Sequence, residues 1–344
     1  MSDEYSPSVE DSKMRESIRN SIISAILLFI FQFNVFPQEG FDRSFKLFQE
    51  GRYKESVALL ESLSKQDEGN PRIWNLLGLN YAQLGESKAA RKALRKAVKY
   101  DPSSILYRGN LATMYISDGE FEDAEDEFEE ILKLTPTDAN SFYYRGVARY
   151  YDFDRPKAIE DADKALEIEP AFTKAVFLKM DATLTELVAE SKDGGEESKI
   201  TRMVGSARQS LSKCLEICAD SDLKQVRDRI ESLGVFERYL LRSAGVAMAP
   251  LPDDVSKKEL KVLSKPRPGY SNKARAGGES GTVILLVEFK SNGNIGYVAV
   301  FEALRYGLTE RAIIAAQGIR FEPFEVNGKP QTILKFIHYR FSIF

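Results

Sequence analysis

The chain has 344 residues, 43% of them hydrophobic and 29% charged, which is the balance of a globular protein with room for more than one domain. Its net charge of −4 is unevenly divided: from Lys257 onward there are 14 Lys and Arg against 7 Asp and Glu, so the preceding part is acidic. The basic residues are spread over predicted strands and turns and form no dense cluster. We therefore predict no nucleic-acid partner.

The first segment, residues 1–38, contains a short apolar run at 22–36 that follows several basic residues. This run is shorter than the roughly 20 residues of a spanning helix and is interrupted by Gln32 and Asn34. It fits the apolar core of a signal peptide, roughly 7 to 15 residues, although no Ala-x-Ala cleavage site follows it. A cleaved signal peptide and an uncleaved membrane anchor both stay open, and both place the rest of the chain outside the inner membrane.

Residues 39–243 carry a repeat in which small residues and prolines return every 34 positions. The positions are Gly78, Ala112 and Gly146, then Ala90, Ala124 and Ala158, then Pro102, Pro136 and Pro170. The pattern resembles the tetratricopeptide repeat, whose unit is a pair of antiparallel helices. The resemblance implies an all-α solenoid, in which small residues let the two helices of a unit approach closely and prolines end each unit.

Beyond Pro170 the repeat weakens. Residues 171–190 still indicate a first helix, and the polar stretch 191–198 reads as an insertion before its partner helix. Residues 222–243 form an amphipathic pattern, which predicts a helix that caps the end of the solenoid.

The two cysteines, Cys214 and Cys218, lie four residues apart in a helical pattern and so share one helix face. We interpret them as small apolar core residues. A metal site would need more ligands, and the single histidine of the chain lies far away in the last strand. We predict no metal and no cofactor.

In the tetratricopeptide family the first helices of the units line a concave groove that takes peptides. Carried over position by position, the resemblance implies a partner-binding groove lined by Asn75, Leu79, Gln83, Asn110, Thr113, Asn140, Tyr143, Tyr144, Val147, Tyr150 and Tyr151. Tyrosine joins an apolar ring to a polar tip, which suits a recognition surface. The alternative for each tyrosine is packing against a neighbouring helix, which is the role we assign to Trp74 and Phe142.

A linker at residues 244–262 leads to a C-terminal domain at 263–344. Residues 282–290 alternate with a period of two, which predicts a strand with one strongly apolar face. An Asn-Gly pair follows and favours a tight hairpin into a second strand at 295–301.

The rest of this domain completes a ββαβ order. Leu308, Ala312 and Ala315 recur at helical spacing, which predicts a helix over 309–317. A second Asn-Gly pair then leads into a last strand within 331–344. The predicted architecture is therefore an all-α solenoid followed by a small α+β domain.

The motifs LSKPRPGY, GTVILLVEF, SNGNIG, LRYGLTERAIIAA and IRFEPF follow in an order that resembles the C-terminal domain of the TonB family. The resemblance implies a periplasmic domain that binds a segment of an outer-membrane transporter by adding it as a strand to its sheet edge. The edge predicted here is the last strand. The candidate residues are Ile333, Lys335, Ile337 and Tyr339.

The sequence favours a periplasmic adaptor, tethered to the inner membrane or released after signal cleavage, that binds proteins or peptides. Its repeats bind one partner and its TonB-like domain binds an outer-membrane protein. One alternative is an energy transducer that works with an outer-membrane receptor and an inner-membrane motor complex. TonB proteins that transduce energy carry a membrane-helix histidine and a proline-rich spacer, whereas residues 22–36 lack histidine and repeats replace the spacer. Another is an envelope scaffold that contacts peptidoglycan through the basic domain.

Two further expectations concern chemistry and charge. The sequence has no paired carboxylates in a coherent pocket, no nucleophile with a histidine partner and no phosphate-binding glycine loop. We predict no enzymatic activity and name no catalytic residue. The unequal charge suggests that the basic domain docks on the acidic repeats and hides its strand edge until a partner competes.

Overall fold

A computed structural model describes residues 39–191, 196–246, 256–270, 274–275 and 277–343. The apolar run interpreted as a signal peptide or anchor lies outside them, in residues 1–38. Within the described ranges, no helix is both long and apolar enough to cross a membrane.

The described part of residues 39–243 is helical, and helices that follow one another along the chain pack side by side. They are α1 (Glu39–Gln49), α2 (Tyr53–Gln66), α3 (Pro71–Gln83), α4 (Ser87–Tyr100), α5 (Ile105–Asp118), α6 (Phe121–Leu134), α7 (Ala139–Tyr151), α8 (Arg155–Ile168), α9 (Thr173–Glu190), α10 (Glu197–Ile217) and α11 (Leu223–Ser243). The predicted solenoid of helix pairs is confirmed.

The first helices of three consecutive units begin at capping side chains that also recur every 34 residues. Asn70 accepts a hydrogen bond from the backbone N–H of Arg72, Ser104 from that of Tyr107, and Asp138 from that of Ser141. Each cap satisfies a backbone donor that has no partner within its helix. The period therefore sets where the helices start as well as how they pack.

The small residues of the repeat lie where two helices meet. A Cβ atom added at Gly78 would lie 2.6 Å from Cγ of Leu94 and 3.1 Å from the carbonyl oxygen of Ala90. One added at Gly146 would lie 2.9 Å from Cδ2 of Leu178. The close approach predicted from the repeat is confirmed at both glycines.

The C-terminal domain begins within the segment predicted as a linker, where β1 and β2 pair with later strands. Its described elements are β1 (Lys257–Lys258), β2 (Lys261–Ser264), β3 (Gly281–Phe289), β4 (Ile295–Glu302), α12 (Leu308–Gln317), β5 (Arg320–Glu322), β6 (Phe324–Val326), β7 (Lys329–Gln331) and β8 (Ile333–Phe341). The main sheet is antiparallel in the order β4-β3-β8, with β1-β6-β7 and β2-β5 as smaller sheets. The predicted ββαβ order appears as β3, β4, α12 and β8.

Both faces of the main sheet are covered. On one face Val283, Leu285 and Val287 join the core formed with α12. On the other face Leu286 and Ala299 are buried in a cluster with residues of α9, α10 and α11. The amphipathic helix predicted to cap the solenoid is therefore also the platform on which the C-terminal domain rests.

The interpretation of the cysteines needs a correction, because Cys214 and Cys218 are bonded to each other. Cys214 lies in the core as expected, whereas Cys218 follows the last residue of α10 and is half-buried. Their Cα atoms lie 4.9 Å apart, within the range that a disulfide requires. In a regular helix residues four apart have Cβ atoms about 5–6 Å apart, which is too far for a disulfide. The bond forms here because the helix ends at Ile217 and the backbone of Cys218 is extended.

Candidate partner-binding surfaces

The predicted groove residues of the second and third units lie on α3 and α5. The side-chain amide of Asn110 donates a hydrogen bond of 2.7 Å to the side-chain oxygen of Asn75, which is itself buried. Leu79 is buried too, and Gln83 and Thr113 are half-buried. Consecutive first helices are thus joined by an amide pair.

The predicted groove tyrosines of α7 all contact other side chains. The ring of Tyr143 lies 5.2 Å from that of Phe172, and the ring of Tyr144 stacks on Phe128 at 5.8 Å. Tyr151 stacks on Phe121 at 5.7 Å, and the hydroxyl of Tyr150 shares a hydrogen bond of 3.3 Å with Thr185 Oγ1. Tyr144 and Tyr151 therefore pack against the neighbouring helix α6, the alternative that the sequence left open. Of the other groove residues, Val147 is half-buried and Asn140 is exposed.

The C-terminal domain reaches the repeats through Tyr297, on β4. Its ring meets that of Phe236 in α11 edge-on at 5.4 Å, and its hydroxyl donates a 3.5 Å hydrogen bond to the backbone oxygen of Asp181 in α9. Burial raises the pKa of Tyr297 well above its usual value, and Asp181 and Tyr150 add to this effect. One end of the predicted groove is therefore occupied by the chain itself.

An arginine of α11, Arg229, lies beside the contact between Tyr297 and Asp181. The guanidinium of Arg229 pairs with the carboxylate of Asp181 and lies 4.3 Å from the ring centre of Phe177. Burial raises the pKa of Asp181, and the nearby arginine opposes that rise. Burial also raises the pKa of Tyr150 to about 12, with Asp181 as the next cause. These groups form a packed polar cluster between the repeats and the C-terminal domain.

A second polar contact joins the two parts at Glu288, which is fully buried. Its Oε2 atom accepts hydrogen bonds from the hydroxyl of Ser232 in α11, at 2.7 Å, and from the backbone N–H of Tyr297, at 2.8 Å. Gly296 leaves room for it, because a Cβ atom there would lie 2.1 Å from the same carboxylate oxygen. Glu288, the polar residue on an otherwise apolar face of the sheet, is thus held by hydrogen bonds from both domains.

Strand β8 lies at one end of the main sheet, where β3 is its neighbour. The ammonium group of Lys265 donates a 2.8 Å hydrogen bond to the carbonyl oxygen of His338, so this carbonyl points away from β3. In an extended strand, the N–H and C=O of one residue point to the same side and successive residues alternate. The backbone groups of Leu334, Phe336 and His338 therefore face outward.

The edge residues predicted from the sequence, Ile333, Lys335, Ile337 and Tyr339, have the opposite parity. Their backbone groups face β3, while the side chains of Ile337 and Tyr339 are buried in the core with α12. Their role in strand addition stays a prediction. The alternate residues, which the sequence analysis did not name, carry the outward-facing backbone groups.

One sequence signal for the contact between the two parts was available. Strand β3 has Ile284 and Leu286 on the face opposite Val283 and Val287, so both faces are apolar. Strands covered on both sides read in this way, whereas strands with one wet face alternate apolar and polar residues. Phe301 and Phe336 continue the second apolar face on the neighbouring strands, with ring centres 4.8 Å apart.

Comparisons with known families agree with the two kinds of structure. Residues 266–343 match the model of the Gram-negative bacterial TonB protein C-terminal, and residues 47–109 match a tetratricopeptide repeat model. The first match suggests a protein of a Gram-negative cell envelope. Both families are interaction modules rather than catalytic domains.

Among curated proteins, the chain is similar to U-box domain-containing protein 70 of Oryza sativa subsp. japonica and to DnaJ homolog subfamily C member 3 of Gallus gallus. The first is 26% identical over 28% of this chain and 12% of its own length. The second is 26% identical over 47% of this chain and 34% of its own length. The chain thus spans only a small part of these relatives.

Among solved structures, a crystal structure of MamA is 21% identical and covers 56% of this chain and 99% of its own, with a TM-score of 0.45. A thermophilic tetratricopeptide repeat protein of Thermus thermophilus is 20% identical and covers 57% of this chain and 97% of its own, with a TM-score of 0.37. The family matches and the helix pairs lead to one conclusion: the chain contains tetratricopeptide repeats, followed by a domain of the TonB C-terminal type.

Proposed function

We propose that the protein is a cell-envelope adaptor, which binds one protein partner through its repeats and a segment of an outer-membrane protein through its C-terminal domain. The observation that carries this proposal is the position of β8 at the end of the order β4-β3-β8. A strand at a sheet edge offers a row of backbone donors and acceptors that an extended peptide can pair with.

The periplasm is the compartment we propose, with the protein either tethered to the inner membrane or released from it. Two observations support this location. The TonB match belongs to a Gram-negative envelope family. The disulfide between Cys214 and Cys218 is of the kind that persists in oxidising compartments such as the periplasm.

The side chains around the β8 edge favour an acidic or neutral partner segment. Lys335, His338 and Arg340 are exposed on β8, and Lys265 lies beside the edge. Opposite charge on a partner would speed its encounter and fix its register. A partner strand that pairs with β8 would donate a backbone hydrogen bond to the carbonyl oxygen of His338 in place of Lys265.

For the repeats, we propose that the peptide groove is centred on α3 and α5. The far end, near Tyr150, is occupied by Tyr297 of the C-terminal domain. At the near end, the hydrogen bond between Asn110 and Asn75 leaves an amide donor on Asn75 and an amide oxygen on Asn110. This pair matches the donor and acceptor of a peptide backbone.

The test is amide hydrogen exchange of the full chain, measured by NMR with and without synthetic peptides from the periplasm-facing N-terminal segments of outer-membrane transporters. We expect a binding peptide to slow exchange at Leu334, Phe336 and His338, whose N–H groups face outward. The amides of Lys335 and Ile337 already bond to β3 and should change little. Protection confined to other parts of the chain would refute strand addition at β8.

A pair of variants at one position sharpens the test. His338→Pro removes an outward N–H without removing a bond to β3, since proline is tolerated at sheet edges. His338→Thr removes the imidazole but keeps the N–H. We expect the first variant to lose peptide binding and the second to keep it. Equal binding by both would show that the backbone of β8 is not the contact.

A further inference from the structure

A cleft of about 700 Å³ opens between α2 and α4, the second helices of the first two units, and α3 forms its floor. Trp74, Leu77 and Tyr81 line this floor. They lie on the side of α3 opposite to Asn75 and Leu79, because the two sets differ by about half a turn of a helix. The cleft is therefore separate from the concave groove and from the β8 edge.

In each of the next two units one position of the same floor carries an arginine paired with a carboxylate, while Leu111 and Phe142 keep an apolar residue at the other. Arg108 stands 34 residues after Trp74, and its Nη1 atom lies 2.5 Å from a carboxylate oxygen of Glu127. Arg145 stands two periods after Leu77, and its Nη2 atom lies 2.6 Å from Oδ1 of Asp161. In the second unit the ammonium of Lys96 lies 3.8 Å from the ring centre of Trp74 and pairs with Glu68.

The charges at the rim of the cleft are not balanced within the described residues. The carboxylate of Glu61 accepts a hydrogen bond from the hydroxyl of Tyr81, and that of Glu68 pairs with Lys96 at 3.0 Å. The tyrosine hydroxyl leaves the charge of Glu61 in place, so the rim carries three lysines against two carboxylates. Lys65 and Lys92 are exposed on opposite walls, and neither makes an ion pair or a side-chain hydrogen bond in the described part of the chain.

We propose that this cleft binds a segment of a partner protein in which an aromatic or aliphatic side chain is flanked by carboxylates. The apolar side chain would lie on Leu77 and against the Trp74 ring, from which it would displace the ammonium of Lys96. A rigid aromatic floor contributes contact area at little entropic cost. The carboxylates would pair with Lys65 and Lys92, whose methylene stems can follow the walls while their charges stay in water. The repeats then carry two binding faces, one concave and one convex.

The experiment uses the fact that Trp74 is the only tryptophan of the chain, so that intrinsic fluorescence reports on this one site. The full chain is titrated with a capped peptide in which Glu and Asp surround a central Phe-Leu pair. The control peptide has Lys in place of every acid. We expect a saturable change of the Trp74 emission with the acidic peptide and none with the basic one. No saturable change with the acidic peptide overturns the proposal.

Matched variants separate this site from general electrostatic attraction. The double variant Lys65→Glu with Lys92→Glu should weaken binding about tenfold or more, because two screened contacts turn from attractive to repulsive. Lys88→Glu makes a single change of the same kind at an exposed residue of α4 outside the cleft and should leave the affinity within about twofold. Equal weakening by both variants, or none by the double variant, would refute a specific cleft.

Residues 1–38 are the competing occupant. If removing them changes the Trp74 emission, and only the shortened chain then binds the acidic peptide, the cleft is covered by the chain itself and the proposal of a partner falls. If the full chain binds as tightly as the shortened one, the proposal stands. Because the cleft lies apart from β8, its failure would leave the test of strand addition unaffected.

Discussion

At the scale of single residues, two glycines in similar helices have opposite roles. Gly78 faces the second helix of its unit, where an added Cβ would lie 2.6 Å from Leu94 Cγ and 2.8 Å from Leu94 Cδ2. Gly109, inside α5, has no heavy atom within 4 Å of the same added atom. The close packing of the two helices requires glycine at position 78, whereas an added Cβ atom at position 109 would meet no other heavy atoms.

We therefore expect Gly78→Ala to destabilise the protein and Gly109→Ala to stabilise it. Alanine gains roughly 1 kcal/mol over glycine inside a helix. At Gly78 overpacking costs about 1–3 kcal/mol, and Leu94 is too deeply buried to move aside. Urea unfolding curves of the two variants measure the difference. A stabilised Gly78→Ala variant would show that the helices can separate without cost.

Also at this scale, Glu288 depends on a partner from another domain. Ser232 donates one of the hydrogen bonds that the carboxylate accepts, and both residues are buried. Leaving a buried polar group with one bond fewer costs about 1–3 kcal/mol. We expect this loss of unfolding free energy in Ser232→Ala. The exposed Ser206→Ala in α10 serves as its control and should change stability by less than about 0.5 kcal/mol. Equal stability of the two variants would mean that water replaces the serine.

At the scale of elements, α11 is the most informative. Its apolar stripe was visible in the sequence, and the stripe predicted a helix that closes the solenoid. Phe236 and Tyr239 of this helix also meet aromatic rings of the sheet, at 5.4 Å from Tyr297 and 6.3 Å from Phe336. A stripe shows that one helix face is buried but does not say which element buries it.

At the scale of the whole molecule, the C-terminal domain does dock on the helices, but through a face of the sheet rather than its β8 edge, and the buried contact is mainly apolar and aromatic. Leu286 and Ala299 lie in one cluster with side chains of α9, α10 and α11. If opposite charges held the two parts together, salt would separate them, since the Debye length falls to about 3 Å at 1 M salt. Apolar burial has no such dependence.

We accordingly expect a chain divided between residues 246 and 256, with both parts expressed together, to purify as a complex in 1 M sodium chloride. Size-exclusion chromatography measures the association. In the control variant Leu286→Asp, a charge is placed in the apolar contact, and the two parts should separate at any salt concentration. Separation of the unsubstituted parts by salt alone would restore the electrostatic hypothesis.

The sequence predicted the features that depend on residues close together in the chain, and it missed those that depend on residues far apart. The 34-residue period fixed the helix pairs, and the Asn-Gly turns with alternating strands fixed the ββαβ order, because these depend on local geometry. The sequence assigns Trp74 to packing and does not predict the cleft beside it. The cleft depends on how side chains of α2, α3 and α4 pack, which the repeat period does not record.

The sequence by itself determined the helical repeats and the small α+β domain, and their order along the chain. It also determined which small residues allow the helices to touch. The tertiary structure alone decided that the second face of the sheet rests on α9 and α11, that Tyr297 lies against Asp181 near one end of the predicted groove, and that alternate residues of β8 face outward. The reason is physical: periodicity records which faces are apolar, whereas the partner of each face depends on contacts between residues far apart in the chain.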